Sequence, residues 1–573
     1  MPGPIDHLSA GGGSEGEPVL RTPFDRRRFL QYGLGGALVL GSTLLGGSSG
    51  ATSVDNLRKM TQLGTEAVGT NAKRQSLAVA SISGAANLDP NIIAGLAGSR
   101  VWSLCYDTFF NTGTPASLSA AEADLAHYKP LPKLVSSYAS SKGGTVWTFK
   151  LNPKAKSAAG NLFSPADIIW SAKRHLALQL YGGIFLNRIG VSSADQFVAN
   201  GPHEVEMTLP VPIDPTYMLL ILGNYLLPMY DSKLVQQYAT ASDPWASNYL
   251  QANTAGFGPY VIETRSSDGT ATTLVARKDY YGTPVIPKII WNQVTDSGTQ
   301  LELLLAGSVQ VTDQLSPQQL KTVAASKGTK VTKVASAGAV YMGFNNSVAP
   351  FSDIAFHQGL AHAIDFKAII NSVFEGTATQ MKSILPPWFQ AATDKYFTYD
   401  YDVAKATQML APYAHANLAL SYDAGNQLQT SLAELILGAL QNAGMTIQLN
   451  GVATATFAAE ESAASKTWWL DTSSVPLIPD SLYALQLLFL TVPTQKLLHY
   501  SNPAVDAAVA QLQKTQSVHL QDQLILTAQK HIMNDLPILP IAYTGQHVAS
   551  AADVVGFTGH GANIIDAEEL SYT

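Results

Sequence analysis

The sequence carries few of the residue groupings from which catalytic or metal sites are usually recognised. Beyond Ala51 it contains no Gly-x-Ser-x-Gly elbow, His-Glu-x-x-His pair, phosphate-loop Gly-Lys-Ser/Thr or Cys-x-x-Cys. The twelve histidines are scattered, and His362 follows His357 by five positions, which on a helix turns it away from the same face. We therefore predict a protein that is not an enzyme and has neither a metal site nor a cofactor.

The single cysteine, Cys105, cannot form an intramolecular disulfide. In a helix it would share a face with Val101, Leu104 and Thr108. No basic residue lies within the four positions that follow it, so nothing nearby in sequence lowers the pKa of its thiol. A buried structural thiol is favoured over a nucleophile, and no cysteine is placed to carry an N-terminal lipid anchor.

The charge content sets the broad class of the protein. Charged residues make up 13% of the 573 positions, about half the usual ~25%, while apolar residues make up 46%. The net charge of −7 argues against a surface that follows nucleic-acid phosphates. The apolar content excludes a disordered chain and suits one with large cores.

The N-terminal residues 1–51 have the features of a targeting segment. Arg26, Arg27 and Arg28 precede Phe29-Leu30, an apolar run rich in glycine follows, and small residues end the segment at Ala51. This order resembles a twin-arginine export signal. A membrane anchor is the alternative, but the run of about 16 residues is short for the ~20 that a spanning helix needs. We expect export to the periplasm or the extracellular space, with no membrane-spanning helix elsewhere.

The stretch from Gly338 to Glu375 predicts the start of an α/β unit. Alternating residues indicate a strand that ends near Phe344, and Ser352 or Asp353 can cap the helix that follows. The apolar positions of that helix, at helical spacing, are Ile354, Leu360, Ala361 and Ile364. Asp365 can cap a second helix. Similar mixtures of strands and helices between residues 75 and 312 predict an α/β protein built in lobes.

Nine short segments, in this order, resemble the extracellular solute-binding proteins of the peptide/nickel class, the dipeptide- and oligopeptide-binding receptors of ABC importers. They run along nearly the whole chain beyond the signal. The segments are Leu88-Asp89-Pro90, Tyr106-Asp107, Trp147-Thr148-Phe149-Lys150-Leu151, Phe163-Ser164-Pro165-Ala166-Asp167, Gly256-Phe257-Gly258-Pro259-Tyr260, Asp279-Tyr280-Tyr281-Gly282, Gly343-Phe344-Asn345, Ala361-His362-Ala363-Ile364-Asp365 and Pro537-Ile538-Leu539-Pro540-Ile541.

The resemblance implies a two-lobed periplasmic-binding-protein fold of the α/β class, with hinged lobes and a subdomain inserted in the first lobe. Lobe I would comprise residues 76–110, 225–335 and 538–573, with the insertion at 111–224. Lobe II would comprise residues 336–537. The chain would then cross between the lobes twice, near 338–344 and near 536–541, and ligand would lie in the cleft between them.

The resemblance also places the ligand chemistry. In the family an Asp that follows a Trp pairs with the α-ammonium of a bound peptide, and Asp471 is the best match, with Asp480 as the alternative. A helix- or turn-capping Asp is the competing interpretation. Trp468 and Trp469 can wall a side-chain pocket, although adjacent residues of an extended chain face opposite ways. Lys466 stands where the family has a carboxylate partner, and would hold a carboxylate as a point charge.

Four further positions border the cleft in relatives of this class. Oligopeptide binders carry an acidic residue shortly after Leu-Asp-Pro, where this chain has Ala94 with Leu96 close behind. Tyr106 and Tyr341 can contact ligand or pack in the core, and Asn345 can donate to ligand or form a turn. We include Leu96, Tyr106, Tyr341 and Asn345 among the predicted ligand-binding residues.

The resemblance implies the substrate-binding subunit of an ABC importer, which captures peptides and delivers them to membrane permease subunits. Another solute, such as an oligosaccharide or a small amphiphile, is an open alternative with the same fold. A secreted hydrolase with a non-local active site is the alternative from another class, and a sensory receptor would share the fold. We expect a monomer that does not bind nucleic acid.

Overall fold

The computed structural model of the protein describes residues 74–91, 96–111, 130–312, 315–474, 478–491, 497–560, 563–565 and 570–573. The predicted export signal lies outside these residues, as does Ala94. No helix within the described ranges is long and apolar enough to cross a membrane.

Strands and helices are mixed along the described chain, as expected for an α/β protein. The strands are β1 (Ser76–Ser81), β2 (Phe110–Asn111), β3 (Leu131–Pro132), β4 (Val135–Ser141), β5 (Val146–Leu151), β6 (Phe197–Ala199), β7 (Glu204–Thr208), β8 (Tyr260–Arg265), β9 (Ala271–Ala276), β10 (Lys288–Gln293), β11 (Val311–Thr312), β12 (Thr329–Phe344), β13 (Ala378–Gln380), β14 (Ala419–Asp423), β15 (Gln448–Val452), β16 (Trp468–Ser474), β17 (Ile538–Ala551), β18 (Val554–Val555), β19 (Phe557–His560), β20 (Asn563–Ile565) and β21 (Ser571–Tyr572). The α-helices are α1 (Leu96–Trp102), α2 (Pro165–Leu178), α3 (Tyr181–Arg188), α4 (Pro215–Leu222), α5 (Ser232–Val235), α6 (Ser247–Leu250), α7 (Ser297–Leu305), α8 (Pro317–Ala325), α9 (Ile354–Ala363), α10 (Phe366–Ser372), α11 (Val403–Leu410), α12 (Gln427–Asn442), α13 (Thr454–Ser462), α14 (Ser481–Leu488), α15 (Pro503–Leu512) and α16 (Val518–Asp535).

One large mixed sheet runs through the molecule in the order β15-β14-β16-β12-β17-β11-β1-β10-β9-β8, and β13 also pairs with β17. A separate antiparallel sheet, β4-β5-β7-β6, is built from the segment predicted as the inserted subdomain. The long strands β12 and β17 lie at the middle of the large sheet. Every other strand of that sheet therefore belongs to one side of this central pair or to the other.

The two long strands form an antiparallel ribbon whose opposite ends carry different strands. At one end β11 pairs with β17 at Ala549 and Ser550. At the other end β16 pairs with β12 between Ala339 and Phe344. The ladder between β12 and β17 is interrupted between Val334 and Gly338, where three residues of β12 oppose one residue of β17. Such bulges bend a ribbon locally and increase its twist.

The helices after β12 begin where the sequence predicts. The Asp353 carboxylate accepts a hydrogen bond from the backbone N–H of Ala355 (2.9 Å), and that of Asp365 accepts one from Ala368 (2.9 Å). Both aspartates therefore cap helices, α9 and α10, at their N-termini. Of the four apolar positions named for this helix, Leu360, Ala361 and Ile364 are buried, whereas Ile354, the first residue of α9, is 41% exposed.

Several of the segments that carry the family resemblance hold the scaffold together. The Asp89 carboxylate accepts hydrogen bonds from Arg174, with Nη1–Oδ1 at 3.0 Å and Nη2–Oδ2 at 2.5 Å, and both side chains are fully buried. The Arg174 guanidinium also donates to the hydroxyl of Tyr230 (3.0 Å) and lies over that ring. This buried ion pair ties the Leu88-Asp89-Pro90 segment to α2.

A second network joins two further segments of the resemblance. The Asp107 carboxylate accepts from the hydroxyls of Tyr280 (3.1 Å) and Tyr281 (2.7 Å), and its other oxygen lies 2.9 Å from the Lys133 ammonium. Gly258 packs against the backbone of Cys105, where an added Cβ would lie only 2.4 Å from the carbonyl carbon. Segments that are about 150 residues apart in the chain are thus locked together.

The neighbourhood of Cys105 differs from the sequence-based prediction in one respect. The helix α1 ends at Trp102 and Cys105 lies in a short 3-10 turn, so no helix face continues to Thr108. The chain becomes extended at Tyr106 because the Gly256–Gly258 loop packs against it there. Burial raises the pKa of the Cys105 thiol to about 12, which keeps it protonated and unreactive.

The predicted lobe and insertion boundaries stay a prediction. The sheet itself is continuous across the two predicted crossings, since β12 and β17 pair with each other and also with strands of both halves of the sheet. The first of these strands begins at Thr329, some nine residues before the predicted crossing at 338–344.

Candidate functional site

The strand pair β12–β16 brings two of the predicted site residues into contact. Tyr341 lies directly opposite Asp471 in the antiparallel ladder, and its hydroxyl donates a hydrogen bond of 2.8 Å to the Asp471 carboxylate. Both side chains are buried, at 0% and 2% exposure. The phenol thus fixes the position of a carboxylate inside the sheet.

Strand pleating divides the two tryptophans between the faces of the sheet. Trp469 pairs with Gly343 and therefore shares a face with Tyr341 and Asp471, whereas Trp468 points to the other face. An added Cβ at Gly343 would lie 2.3 Å from the indole ring of Trp469, so this glycine lets the indole lie flat on β12. Trp468 instead packs beside the ring of Phe351, with 5.7 Å between the ring centroids.

Glu461 on α13 and Lys466, four residues after the end of that helix, are two charged groups whose electrostatic influence reaches Asp471. The Lys466 ammonium is fully buried, 3.9 Å from the Glu461 carboxylate and 3.1 Å from the centroid of the Phe457 ring. Burial raises the pKa of Glu461, and the negative charge of Asp471 raises it further. Burial also lowers the pKa of Lys466, against the attraction of both carboxylates. Asp471, Glu461 and Lys466 thus influence one another's charge within one buried cluster.

An apolar cavity of about 30 Å³ lies beside Tyr341, on the face that also carries Asp471. Helix α14 forms one wall, and the hydroxyl of Tyr543 on the opposite wall donates to the backbone carbonyls of Ser383 and Leu385. The cavity has room for about one water molecule, so a ligand side chain entering here has to displace part of that wall. The residues around it are Ala339, Tyr341, Met381, Ile384, Pro386, Ala484, Leu487, Leu488, Phe489, Ile538 and Tyr543.

Asp480, the alternative to Asp471, occupies a helix cap. Its carboxylate accepts a hydrogen bond of 2.9 Å from the backbone N–H of Tyr483 at the start of α14. Burial raises the pKa of this carboxyl to about 7, with a smaller contribution from the negative charge of Asp214. The structure thus uses Asp480 to begin the helix that walls the cavity, and brings only Asp471 together with Tyr341.

The other predicted residues lie apart from this cluster or serve turns. The Tyr106 hydroxyl accepts from the backbone N–H of Ala255 (3.1 Å). The Asn345 side-chain oxygen accepts from both the backbone N–H (3.1 Å) and the hydroxyl (2.6 Å) of Ser347, as in an Asx turn. Leu96 begins α1. Ligand-binding roles for these three positions stay predictions.

Sequence reasoning missed a polar contact between α3, α4 and α14. The side-chain oxygen of Gln486 accepts from Arg188 (3.1 Å) and from the hydroxyl of Tyr217 (2.9 Å). The Arg188 guanidinium also lies 5.2 Å from the ring centroid of Tyr483. No sequence motif marks these residues, because they are about 300 positions apart and meet only in the folded chain.

The histidines and acids form no metal site in the part of the chain that the structure describes, where no group of three potential ligands comes together. The imidazole of His357 lies on the ring of Phe344 and 3.2 Å from the backbone carbonyl of Asp535. That of His362 lies 2.7 Å from the carbonyl of Asp400. Both imidazoles therefore pair with backbone carbonyls.

Comparison with known proteins identifies the family. The family model for bacterial extracellular solute-binding proteins, family 5 (middle region), matches residues 129–486. The chain belongs to this family. Its members are substrate-binding proteins that act outside the cytoplasm.

Individual members of family 5 match over different shares of their length. The glutathione-binding protein GsiB of Pectobacterium atrosepticum is 26% identical over 442 residues, which cover 74% of this chain and 82% of that protein. Heme-binding protein A of Haemophilus influenzae is 25% identical over 299 residues, covering 50% of this chain. The chain spans about half the length of that second relative (54%).

Solved structures confirm the two-lobed periplasmic-binding-protein fold. The substrate-binding protein CtaP of Listeria monocytogenes superposes with a TM-score of 0.75 at 18% identity, covering 88% of this chain and all of CtaP. The dipeptide-binding protein of Pseudoalteromonas sp. SM9913, solved with Met-Leu, superposes with a TM-score of 0.73 at 20% identity. The match covers 87% of this chain and all of that protein's chain. The predicted α/β fold class and the predicted family are both confirmed.

Proposed function

We propose that this family 5 protein is the extracytoplasmic subunit of an ABC importer, and that it captures peptides in the interlobe cleft for delivery to a membrane permease. The observation that carries the peptide assignment is the buried Tyr341–Asp471 pair beside Lys466 and Glu461. A peptide α-ammonium at Asp471 would make a charge-assisted contact with this buried carboxylate. The names of several relatives support peptides, among them dipeptide-binding proteins of Escherichia coli and Bacillus subtilis.

The proposal includes closure of the lobes around the solute. The bulged ribbon of β12 and β17 is the element that would bend, because it connects the two ends of the sheet. Closing would bury the solute and favour the form that a permease recognises. The protein would act as a monomer.

The first experiment identifies the natural solute. Mass spectrometry of small molecules released on denaturing the purified protein is expected to find peptides with a free amino terminus. Recovery of an oligosaccharide, an opine or a porphyrin would replace the peptide assignment while leaving solute binding intact. A solute other than a peptide is a realistic result, since the similar protein AgaA was solved with agropinic acid.

The second experiment tests Asp471 directly. Asp471→Asn keeps an oxygen that can accept from Tyr341 but removes the charge, so binding of Met-Leu is expected to weaken about 10- to 150-fold, the value of one charge-assisted hydrogen bond. Isothermal titration with Met-Leu and with N-acetyl-Met-Leu measures this, and the acetylated peptide should bind equally poorly to both proteins. Glu434→Gln, an exposed carboxylate on α12 in the same lobe, is the matched control. Unchanged affinity in Asp471→Asn would remove Asp471 from the site.

We also propose that the chain reaches its compartment through the twin-arginine route. The motivating feature is Arg26-Arg27 ahead of Phe29-Leu30 and the glycine-diluted apolar run. Changing both arginines to lysine is expected to leave the precursor in the cytoplasm, as judged by fractionation. Normal export of that variant would reject this route.

A serine-directed covalent probe tests the alternative from another class. Labelling of the mature protein by this probe would favour the secreted hydrolase over a solute-binding protein.

A further inference from the structure

The contact between α3, α4 and α14 joins residues that are almost 300 positions apart in the chain. We define the clasp as Arg188, Tyr217, Tyr483 and Gln486. One oxygen of Gln486 accepts from both Arg188 and Tyr217, and Arg188 lies over the Tyr483 ring. Tyr217, Tyr483 and Gln486 are at most 9% exposed, so the contact is a packed interface in which water takes little part.

A second bond supports the same interface. The side-chain amide of Gln521 on α16 donates to the Asp214 carboxylate at 2.8 Å, and the other oxygen of Asp214 caps α4. The ring of Phe185 packs edge-on against Tyr483, with 6.3 Å between the centroids. Polar and aromatic contacts thus converge from α3 and α4 onto α14 and α16.

The two sides of the clasp belong to different predicted bodies of the molecule. Arg188 and Tyr217 lie in the predicted insertion at 111–224, and Gln486 lies in the predicted lobe II at 336–537. In the predicted division, the chain leads from the insertion to lobe II through lobe I and then through β12 and β17. A bend of that ribbon that opens the cleft must therefore separate Gln486 from its two donors.

The bonds of the clasp are suited to repeated opening. Within the described residues Arg188 has no carboxylate at ion-pair distance, and its buried Nε–H has no acceptor. Its guanidinium is held by a neutral amide oxygen and an aromatic face. Such contacts are weaker than a buried ion pair, whose rupture would leave an uncompensated charge.

We propose that the clasp holds the inserted subdomain against lobe II in the closed form, so that Arg188, Tyr217 and Gln486 set the balance between open and closed protein without contacting solute. They are positioning residues for solute capture. This inference rests on the proposed closure of the lobes. Because binding requires the closed form, a lower closed fraction reduces the apparent affinity by the same factor.

The test measures the distance between the two bodies in the full mature chain. Lys173→Cys on α2 and Lys514→Cys after α15 provide exposed label sites, and the buried, unreactive Cys105 does not compete for the label. Pulsed electron resonance of the spin-labelled protein gives the distribution of distances. In this background Gln486→Leu is expected to increase the long-distance population at least three-fold, and Tyr217→Phe is expected to increase it less. Gln511→Leu, the same change at an exposed position of α15, should leave the distribution unaltered.

The outcomes separate the clasp from the peptide proposal. Thermal unfolding of each variant shows whether it is folded. If Gln486→Leu does not fold, Tyr217→Phe, which keeps the aromatic ring, provides the test of the clasp. If both clasp variants show the parent distribution, the clasp is rejected. If they open and saturating Met-Leu restores the short distance with a three- to thirty-fold weaker apparent affinity, both proposals are supported. If they open and Met-Leu has no effect on any protein, the clasp stands and the peptide assignment fails.

Discussion

The part of the molecule around Asp89 and Asp107 and the part around Asp471 use buried carboxylates in different ways. Asp89 is matched by Arg174, and Asp107 by two tyrosines and Lys133, so each acid is compensated by partners from its own scaffold. Asp471 accepts a hydrogen bond from a phenol, and its negative charge acts on Glu461 and Lys466 close by in the fold. The first two acids tie distant segments of the scaffold together, whereas Asp471 belongs to the cluster of charged side chains at which we propose that the ligand binds.

The largest expected effect comes from breaking a compensated acid. Arg174→Met keeps the apolar volume but leaves Asp89 buried without its cation, so the free energy of unfolding should fall by about 3–5 kcal/mol. Denaturant titration measures this change. Lys173→Met, at the exposed neighbouring position of α2, should change it by less than about 0.5 kcal/mol.

The double variant Asp89→Asn/Arg174→Met sharpens that comparison. With both charges removed, the loss should be smaller than in Arg174→Met alone, since no isolated charge remains. A double variant as unstable as the single one would show that packing and not charge accounts for the effect.

Much of the fold could be predicted from sequence because its signals are local. The strand alternation before Phe344 and the caps at Asp353 and Asp365 depend on neighbouring residues alone. The resemblance to a family could also be read from the sequence, because the matching segments include Asp89, Asp107 and residues that contact them. Those segments encode the scaffold, which is common to binders of different solutes.

The candidate site was only partly predictable, because its chemistry depends on residues that meet in three dimensions. Asp471 came from the resemblance, but its pairing with Tyr341 depends on the register of β12 against β16. The clasp is even harder to predict from the sequence, since Arg188 and Gln486 belong to no recognised motif and lie in separate predicted bodies. Asp480 shows the opposite case, a carboxylate near the matching segment that the fold uses as a helix cap.

The next effect concerns Gly343, which belongs to a family segment and lies against Trp469 in the candidate site. Gly343→Ala would place a Cβ 2.3 Å from the Trp469 indole, so the ring or β12 must shift, at a cost of about 1–3 kcal/mol in the free energy of unfolding. The same denaturant titration measures it. Gly438→Ala on α12 is the matched control: its Cβ would meet nothing within 4 Å, and alanine should stabilise the helix by about 0.5–1 kcal/mol. Equal stability of Gly343→Ala and the parent would show that Trp469 is free to move.

The smallest expected effect is the pH dependence that Asp480, the alternative to Asp471, gives to the free energy of unfolding. Burial raises the pKa of Asp480 to about 7, well above the ordinary value of 3.8, so between these two values the folded state binds a proton that the unfolded state has released. The free energy of unfolding should therefore fall as pH rises through that window and level off above about 7. Asp480→Asn keeps a capping oxygen for Tyr483 but cannot titrate, so its curve should lack this component.

The difference between the two pH curves isolates Asp480 from its neighbour. Burial also raises the pKa of Asp214, but Asp214 is present in both proteins and largely cancels in the difference. From about pH 5.5 to about pH 7 the difference should reach at most about 2 kcal/mol, at 1.36 kcal/mol per pH unit. Parallel curves would mean that Asp480 is ionised throughout, and a buried ionised Asp480 beside α14 would again compete with Asp471 as the group that binds the ligand cation.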